Sequence, residues 1–431
     1  MKAFLHAAVC ALLVGAPMVR GQTTLWDDIL RPQMTPTTVD VRSAGMGKVA
    51  VAGITGSNAI FTNPAAIGAT QKSSIALGVE GRLGVIKDAY AAEPFDTYKK
   101  SSKPYMQLTH ISAALPISIK DSPIGFAIGV GYHDQYTASR TIYTKQVESN
   151  GTTTEMYAKY RGSMNLISPT VALTIKNMFG IGLAVNQTLP GAFGKVTVAT
   201  KTNGLETANA EYSGSAFFLT VGIRLSLLRD KIALGGAFYS PSQWTFKRDD
   251  QEEGDFTAPR MFVLGGQIQV TKQLLAALEF QTRLFATMPA TQDGDKLNNG
   301  VAIRAGGEYS LDPLLVRLGI SLENVPSTDM IQPDGELIAP KDKSPQMGFG
   351  ASAGVGIPLK PLTIQAALGW SRFGYDNEIE RAGTSTTYAY SENHFKLDLG
   401  ITLDLPGAKI GRGETKVDEG AEVPQPLDIG K

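Results

Sequence analysis

Apolar and polar residues alternate with period two along most of this chain. In IGFAIGVGYH, Ile124, Phe126, Ile128, Val130 and Tyr132 fall on one face, with Gly125, Ala127, Gly129, Gly131 and His133 on the other. FKLDLGITLDL sets Phe395, Leu397, Leu399, Ile401, Leu403 and Leu405 against Lys396, Asp398, Gly400, Thr402 and Asp404. SAFFLTVGIRLSLL repeats the arrangement, with Phe217, Leu219, Val221, Ile223 and Leu225 opposite Thr220, Gly222, Arg224 and Ser226. Each run predicts a long strand with one strongly apolar face. About fourteen such segments follow one another: 72–87, 104–119, 123–140, 160–175, 180–200, 206–227, 231–249, 256–271, 274–288, 299–310, 314–324, 345–357, 361–380 and 386–405.

The connections sort by parity. Tight turns at 120–123, 176–180, 228–231, 271–273, 311–313 and 359–361 alternate with longer polar stretches such as AYAAEPFDTYKKSSK and VPSTDMIQPDGELIAPKDKSP. A meander with short turns at one end and long loops at the other is the layout of a transmembrane β-barrel. Hydrocarbon satisfies no free backbone group, so the sheet closes and turns its apolar face outward. A soluble β-sandwich is the alternative, but its strands run to about five or six residues. The expected fold is therefore all-β, a transmembrane antiparallel barrel of about fourteen strands. An even count puts both chain ends on the short-turn side, the periplasm of a diderm bacterium, with outer-membrane lipid around the wall.

Composition fits this picture. The chain has 431 residues, with 40 basic and 40 acidic side chains, so no net field draws it to nucleic acid. MKAFLHAAVCALLVGAPMVRG has the layout of a secretory signal peptide ending near Gly21. The sole cysteine, Cys10, lies within it, which leaves the mature chain without disulfide or thiolate chemistry. The expected divisions are a signal peptide at 1–21, an N-terminal extension and hatch at 22–70, the barrel at 71–406 and a polar, disordered periplasmic tail at 407–431.

Charges of both signs fall on the inward face: Arg224, Glu279, Arg283, Arg304, Glu308, Arg317, Lys396 and Asp398. They line a polar channel or anchor a plug. The stretch SAGMGKVAVAGITGSNAIFTNPAAIG, residues 43–68, is small, almost uncharged and placed before the first strand. Its Gly45-Met46-Gly47-Lys48 satisfies part of a nucleotide-binding fingerprint. Yet Arg42 and Val49 stand where a phosphate loop needs Gly and Ser or Thr, and no acid lies between Asp40 and Glu80. The better reading is a plug packed inside the barrel.

Ser43, Gly45, Gly47, Asn58 and Asn63-Pro64-Ala65, leading into fourteen strands, resemble the FadL/TodX superfamily of outer-membrane transport proteins, including its PorV-like barrels. The resemblance implies a hatch inside the lumen and transport of a hydrophobic small molecule, a long-chain fatty acid or aromatic hydrocarbon. The alternative it carries is a non-transporting scaffold for secretion or surface attachment, with a periplasmic or secretion partner. It also implies a lateral gap beside the third strand, at Gly125, Gly129 and Gly131. The other reading of these glycines is that they let the hatch lie against the wall. Asp398-x-Gly400-x-x-Leu403-x-Leu405 fits the terminal signal read by barrel-assembly machinery.

Two features depart from that pattern. TLWDDIL precedes the hatch with capping-box spacing at Thr24 and Asp27, and a polar tail follows the last strand. His110, His133 and His394 lack metal-ligand spacing, DGDKLNN has Leu297 at a calcium-ligand position, and DDQEEGD reads as a solvated acidic loop. Tyr132, Tyr136, Tyr239, Trp244 and Trp370 read as an interfacial girdle. Neither a catalytic set nor a cofactor or metal is expected.

Overall fold

A computed structural model describes residues 40–70, 72–90, 98–101, 105–137, 140–147, 153–176, 178–188, 195–202, 205–228, 230–248, 251–284, 299–325, 330–331, 337–338, 346–381 and 384–410. The wall is a closed antiparallel barrel of fourteen strands. They are β1 (Lys72–Tyr90), β2 (Tyr105–Ile119), β3 (Ile124–Thr137, continued by Arg140–Val147), β4 (Thr153–Ile167 and Thr170–Ile175) and β5 (Phe179–Thr188 and Lys195–Thr202). Next come β6 (Leu205–Leu227), β7 (Ile232–Tyr239 and Ser242–Arg248), β8 (Gln251–Ala258 and Met261–Gln269), β9 (Leu274–Arg283) and β10 (Gly300–Leu311). β11 (Leu314–Val325), β12 (Gln346–Leu359), β13 (Leu362–Arg381) and β14 (Thr384–Pro406) complete it. Residues 251–255 of the acidic run thus lie in a strand rather than a loop, with Gln251–Ala258 paired to Ser242–Arg248.

Closure is made by β1 and β14, in register from Lys72 opposite Pro406 to Tyr90 opposite Tyr388. Both ends of the wall therefore lie on the tight-turn rim. The turns there use left-handed backbone at Asp121, Lys176, Leu228 and Asp230. Just past closure, Ala408–Ile410 pairs in parallel with Ile117–Ile119 of β2. Residues 411–431, the N-terminal 1–39 with TLWDDIL, and DGDKL of the 293–299 stretch lie outside the described residues.

Alternation sets the two faces. Ile128, Val130, Leu264, Leu278, Leu318 and Leu368 stand outward and exposed, whereas Ala127, Ala172, Thr220, Glu279 and Arg317 point inward and are buried. Among the described residues no helix is long and apolar enough to cross a membrane; the strands of β1–β14 reach or exceed the roughly 9–11 residues a tilted spanning strand needs. The pattern slips once in β2. The register shifts opposite Gly78 and Val79, and Thr109 and His110 both turn inward. An extra residue in one strand re-aims side chains in this way.

Residues 40–70 form no strand. They contain α1 (Val41–Gly45) and two 3-10 turns, Gly56–Phe61 and Pro64–Gly68. Asp40 caps α1, accepting from the Ser43 amide at 2.7 Å. Asn63 does the same for the second 3-10 turn, with Pro64 at its first position, where a missing N–H costs nothing.

Candidate functional site

The 40–70 segment lies against inward positions of strands on all sides of the ring. Towards β2–β4 the contact is apolar. Ile54, Ile60, Phe61 and Ile67 pack on Ala114, Ala127 and Ala172. These wall positions are small, which leaves room for the branched and aromatic side chains of the segment. Towards β7 and β8, Val51 and Ala52 meet Ala237, Met261 and Val263. Burying a side chain such as Ile60 or Ile67, both with no exposed area, contributes about 1.5–3 kcal/mol each.

Elsewhere backbone meets backbone. A Cβ on Gly182 would strike Pro64 and Ala65, one on Gly235 would strike Val51, and one on Gly319 would strike Gly47. Gly47 is itself left-handed, at φ 69°, and donates its amide to Ser352 Oγ at 2.9 Å. Here glycine is required at both surfaces.

Each sequence-predicted segment residue has a place in this packing. Ser43 and Gly45 are buried in α1, with Gly45 against Gly354. Asn58 donates to Asp40 Oδ2 at 2.7 Å and accepts from Ser112 Oγ of β2 at 3.1 Å. Asn63, fully buried, donates to the carbonyls of Val51 at 2.8 Å and Ile223 of β6 at 2.9 Å. Pro64 and Ala65 seat on Gly180, Gly182 and Gly222.

The inward charges divide into groups. Glu279 Oε2 accepts from the amides of Ala50 and Val51 at 2.6 and 2.7 Å, while its Oε1 takes Arg304 at 2.8 Å. Glu308 bonds Arg42 of the segment at 2.9 Å and Arg317 at 2.6 Å. Arg317 also donates to Gln365 Oε1 at 2.8 Å. These two carboxylates tie the segment to β9 and β10. Arg283 instead pairs with Glu323 of β11, within the wall. Arg224 stands apart near the 228–231 turn, its Nε without a hydrogen-bond partner.

Several residues escape sequence reasoning. Glu80 bonds Arg82 at 2.7 Å and Lys396 at 3.0 Å. Asp40, Arg42 and Lys48 give the segment a polar side. Lys48 adopts φ 69°, a left-handed conformation unusual for a side-chain-bearing residue. Withdrawal from water lowers its pKa from the usual 10.5 to about 8; Lys396, Arg304 and Arg82 add to the fall, and Glu323 opposes it. Asp40 alone carried a local signal, as the capping residue before VRSAG.

Gly125 and Gly129 pair with both neighbours of β3, and Gly131 pairs with Ser112 of β2 and exchanges backbone hydrogen bonds with Ser168 at the interruption of β4. A Cβ on Gly129 would meet Ile60 at 2.9 Å, and one on Gly131 would strike Phe61. Two of the three glycines thus accommodate the segment. Tyr239 departs from the expected girdle. It points inward, and its hydroxyl donates to the carbonyls of Phe61 at 3.2 Å and Thr62 at 2.8 Å. Trp370 does face outward, edge-on to Phe349 at 5.9 Å between centroids. The side chains of Tyr136 and Trp244 lie outside the described set. Among the described residues no cluster of His, Cys, Asp and Glu is arranged to hold a metal.

No protein-family model and no curated protein matches the sequence. Solved structures do share its fold. The Pseudomonas putida toluene transporter TodX superposes with a TM-score of 0.54 at 12% identity, over 85% of this chain and 98% of that one. A Pseudomonas aeruginosa FadL homologue gives 0.52 at 12% identity over the same shares. The deltaS2 mutant of the TodX monoaromatic hydrocarbon channel gives 0.54 at 12% identity, over 86% of this chain and all of that one. The barrel therefore has the FadL/TodX fold that the sequence resemblance implied.

Proposed function

We propose that this protein is an outer-membrane channel for hydrophobic small molecules, with residues 40–70 as the hatch that fills its lumen. The observation that carries the reading is a segment anchored at Asn63, Glu279 and Glu308 inside a closed wall whose outer face is apolar. Similarity of fold to a toluene transporter and to a FadL homologue supports the same reading. An apolar outer belt demands a bilayer around it, and a closed barrel with long loops on one rim suits the outer membrane. The tight-turn rim, with both ends of the wall, then faces the periplasm. The cargo class is long-chain fatty acids or aromatic hydrocarbons. In this reading the protein acts by passage rather than chemistry, in keeping with the toluene transporter that shares its fold.

The test is mass spectrometry of lipids extracted from the barrel purified in mild detergent. A stoichiometric fatty acid or hydrocarbon that exchanges with added ligand is the expected result. An empty barrel that co-purifies instead with a periplasmic or secreted protein would replace transport by a scaffolding role.

A further inference from the structure

Four successive strands, β11 to β14, each contribute one small inward residue to an oblique level of the lumen: Gly354 pairs with Ala367, while Gly319 and Gly400 lie one inward position above and below that pair. α1 and the residues after it press on that level. Val41 and Ala44 pack on Ala367. A Cβ added to Gly400 would come within 2.6 Å of Val41 Cγ2, and one added to Gly45 within 2.9 Å of Gly354 Cα. The level is thin, apolar and closed by small residues.

Cavities whose linings carry many charged and hydroxyl side chains lie on either side of it. Towards the tight-turn rim is a cavity of ≈ 600 Å³ whose lining includes Arg42, Glu308, Arg317, Gln365 and Asp404. Towards the long-loop rim is a cavity of ≈ 30 Å³ whose lining includes Lys48, Ser321, Ser352, Lys396 and Asp398 beside Ala351 and Trp370. Order along the strands fixes this arrangement. In β11, Arg317 lies below Gly319 and Ser321 above; in β13, Gln365 lies below Ala367 and Ser371 above; in β14, Asp404 lies below Gly400 and Asp398 above. The smaller space has room for about one or two waters and the polar partners that water needs.

We propose that Val41, Ala44 and Ala367 form a hydrophobic gate for water and small ions on a path along β11–β14. A short apolar constriction between two wet chambers blocks ions by excluding water, and it conducts once wetted. The lining above and below is rich in charge and hydroxyls. A hydrocarbon there would strip water from these groups and return no hydrogen bonds, so this path suits hydrophilic traffic. The constriction depends on contact between small residues, so a slight shift of α1 is enough to widen it.

Single-channel recording in planar bilayers tests the gate, with no hydrophobic cargo present, so the result stands apart from the cargo reading. Val41→Ser and Ala367→Ser should each raise conductance or open probability several-fold by letting water into the constriction. Ala353→Ser, a like change on the exposed outward face of β12, should not. An Ala44→Cys/Ala367→Cys pair, free of other cysteines beyond Cys10, should lose its spontaneous openings under oxidation and regain them with reductant. Folding of each variant is checked by its heat-dependent mobility shift on gels. Folded gate variants with unchanged conductance, or an Ala353→Ser channel that opens equally, would overturn the proposal.

Discussion

The side-chain oxygen of Asn63 occupies the space that a Cβ on Gly222 would need. The two residues belong to different parts of the chain, yet neither tolerates its neighbour's enlargement. Gly222→Ala should push the 3-10 turn at Pro64–Gly68 off β6, at about 1–3 kcal/mol, the usual range for an overfilled core. Asn63→Ala should weaken the same contact by about 1–3 kcal/mol, because buried carbonyls of Val51 and Ile223 lose a donor. Hydrogen–deuterium exchange over residues 56–68 reads both. Unchanged protection in either variant would remove Asn63 as an anchor.

Glu279 serves two backbone amides and one arginine at once. Glu279→Ala leaves Arg304 buried and without its carboxylate, a change that typically costs about 3–5 kcal/mol. Exchange should rise first at residues 49–54 and only later at 56–68. A uniform rise along the whole segment would mean that the barrel, rather than this one attachment, has loosened.

Arg42 and Glu308 should show coupling across the segment–wall boundary. Arg42 keeps some exposure, at 23% of its side chain, so solvent screening holds the interaction near the lower end of the range of about 0.5–3 kcal/mol for contacting pairs. A double-mutant cycle of Arg42→Gln and Glu308→Gln, scored by urea midpoint, measures it. Strict additivity of the two changes would show that the contact is energetically silent.

Lys48 gives the folded protein a pH dependence of definite sign. Its folded pKa, about 8, lies below the ordinary 10.5, so the unfolded chain binds the proton more tightly. Its contribution to stability therefore rises as pH climbs from about 8 to 10.5. Lys48→Met should flatten that rise in urea titrations. A variant with the same slope as the parent would assign the dependence to other groups.

On the outer face, Leu318 is 64% exposed near the middle of β11. Leu318→Arg should cost about 2–4 kcal/mol for folding into lipid vesicles, the range for arginine near the bilayer midplane. Folding in detergent micelles should change less. An equal loss in both would argue that this face does not meet hydrocarbon.

Strand number and the inward charges were legible because alternation needs only one-dimensional information. Ile128 and Gly129 already declare opposite faces, and Glu279, Glu308 and Arg317 fall inward by counting. Tyr239 was not legible. Its place at a strand end fits a girdle, and only the register of β7 with β6 turns it onto Phe61. The slip at Thr109 and His110 was equally hidden, because a bulge adds a residue without a composition signal. Gly45, Gly47 and Asn63 could be named from the sequence, but their partners could not. Gly354, Gly319 and Gly222 are brought to them by closure of the ring, a relation between residues hundreds apart. Arg42 was passed over because a lone arginine in a small-residue stretch shows its purpose only when Glu308 faces it.

The parallel pairing of Ala408–Ile410 with β2 alters how the barrel bears load. β1 begins at Lys72, opposite the end of β14, and leaves the edge of Ile117–Ile119 uncovered. The tail crosses the rim and fills that edge. Tension applied to residues beyond 410 is therefore met first by these three residues in β2, not by the β1–β14 seam. The closing joint of the cylinder is shielded like a knot behind a stitch, and cargo or a partner hauling on the tail would draw on β2 before it could unzip the ring.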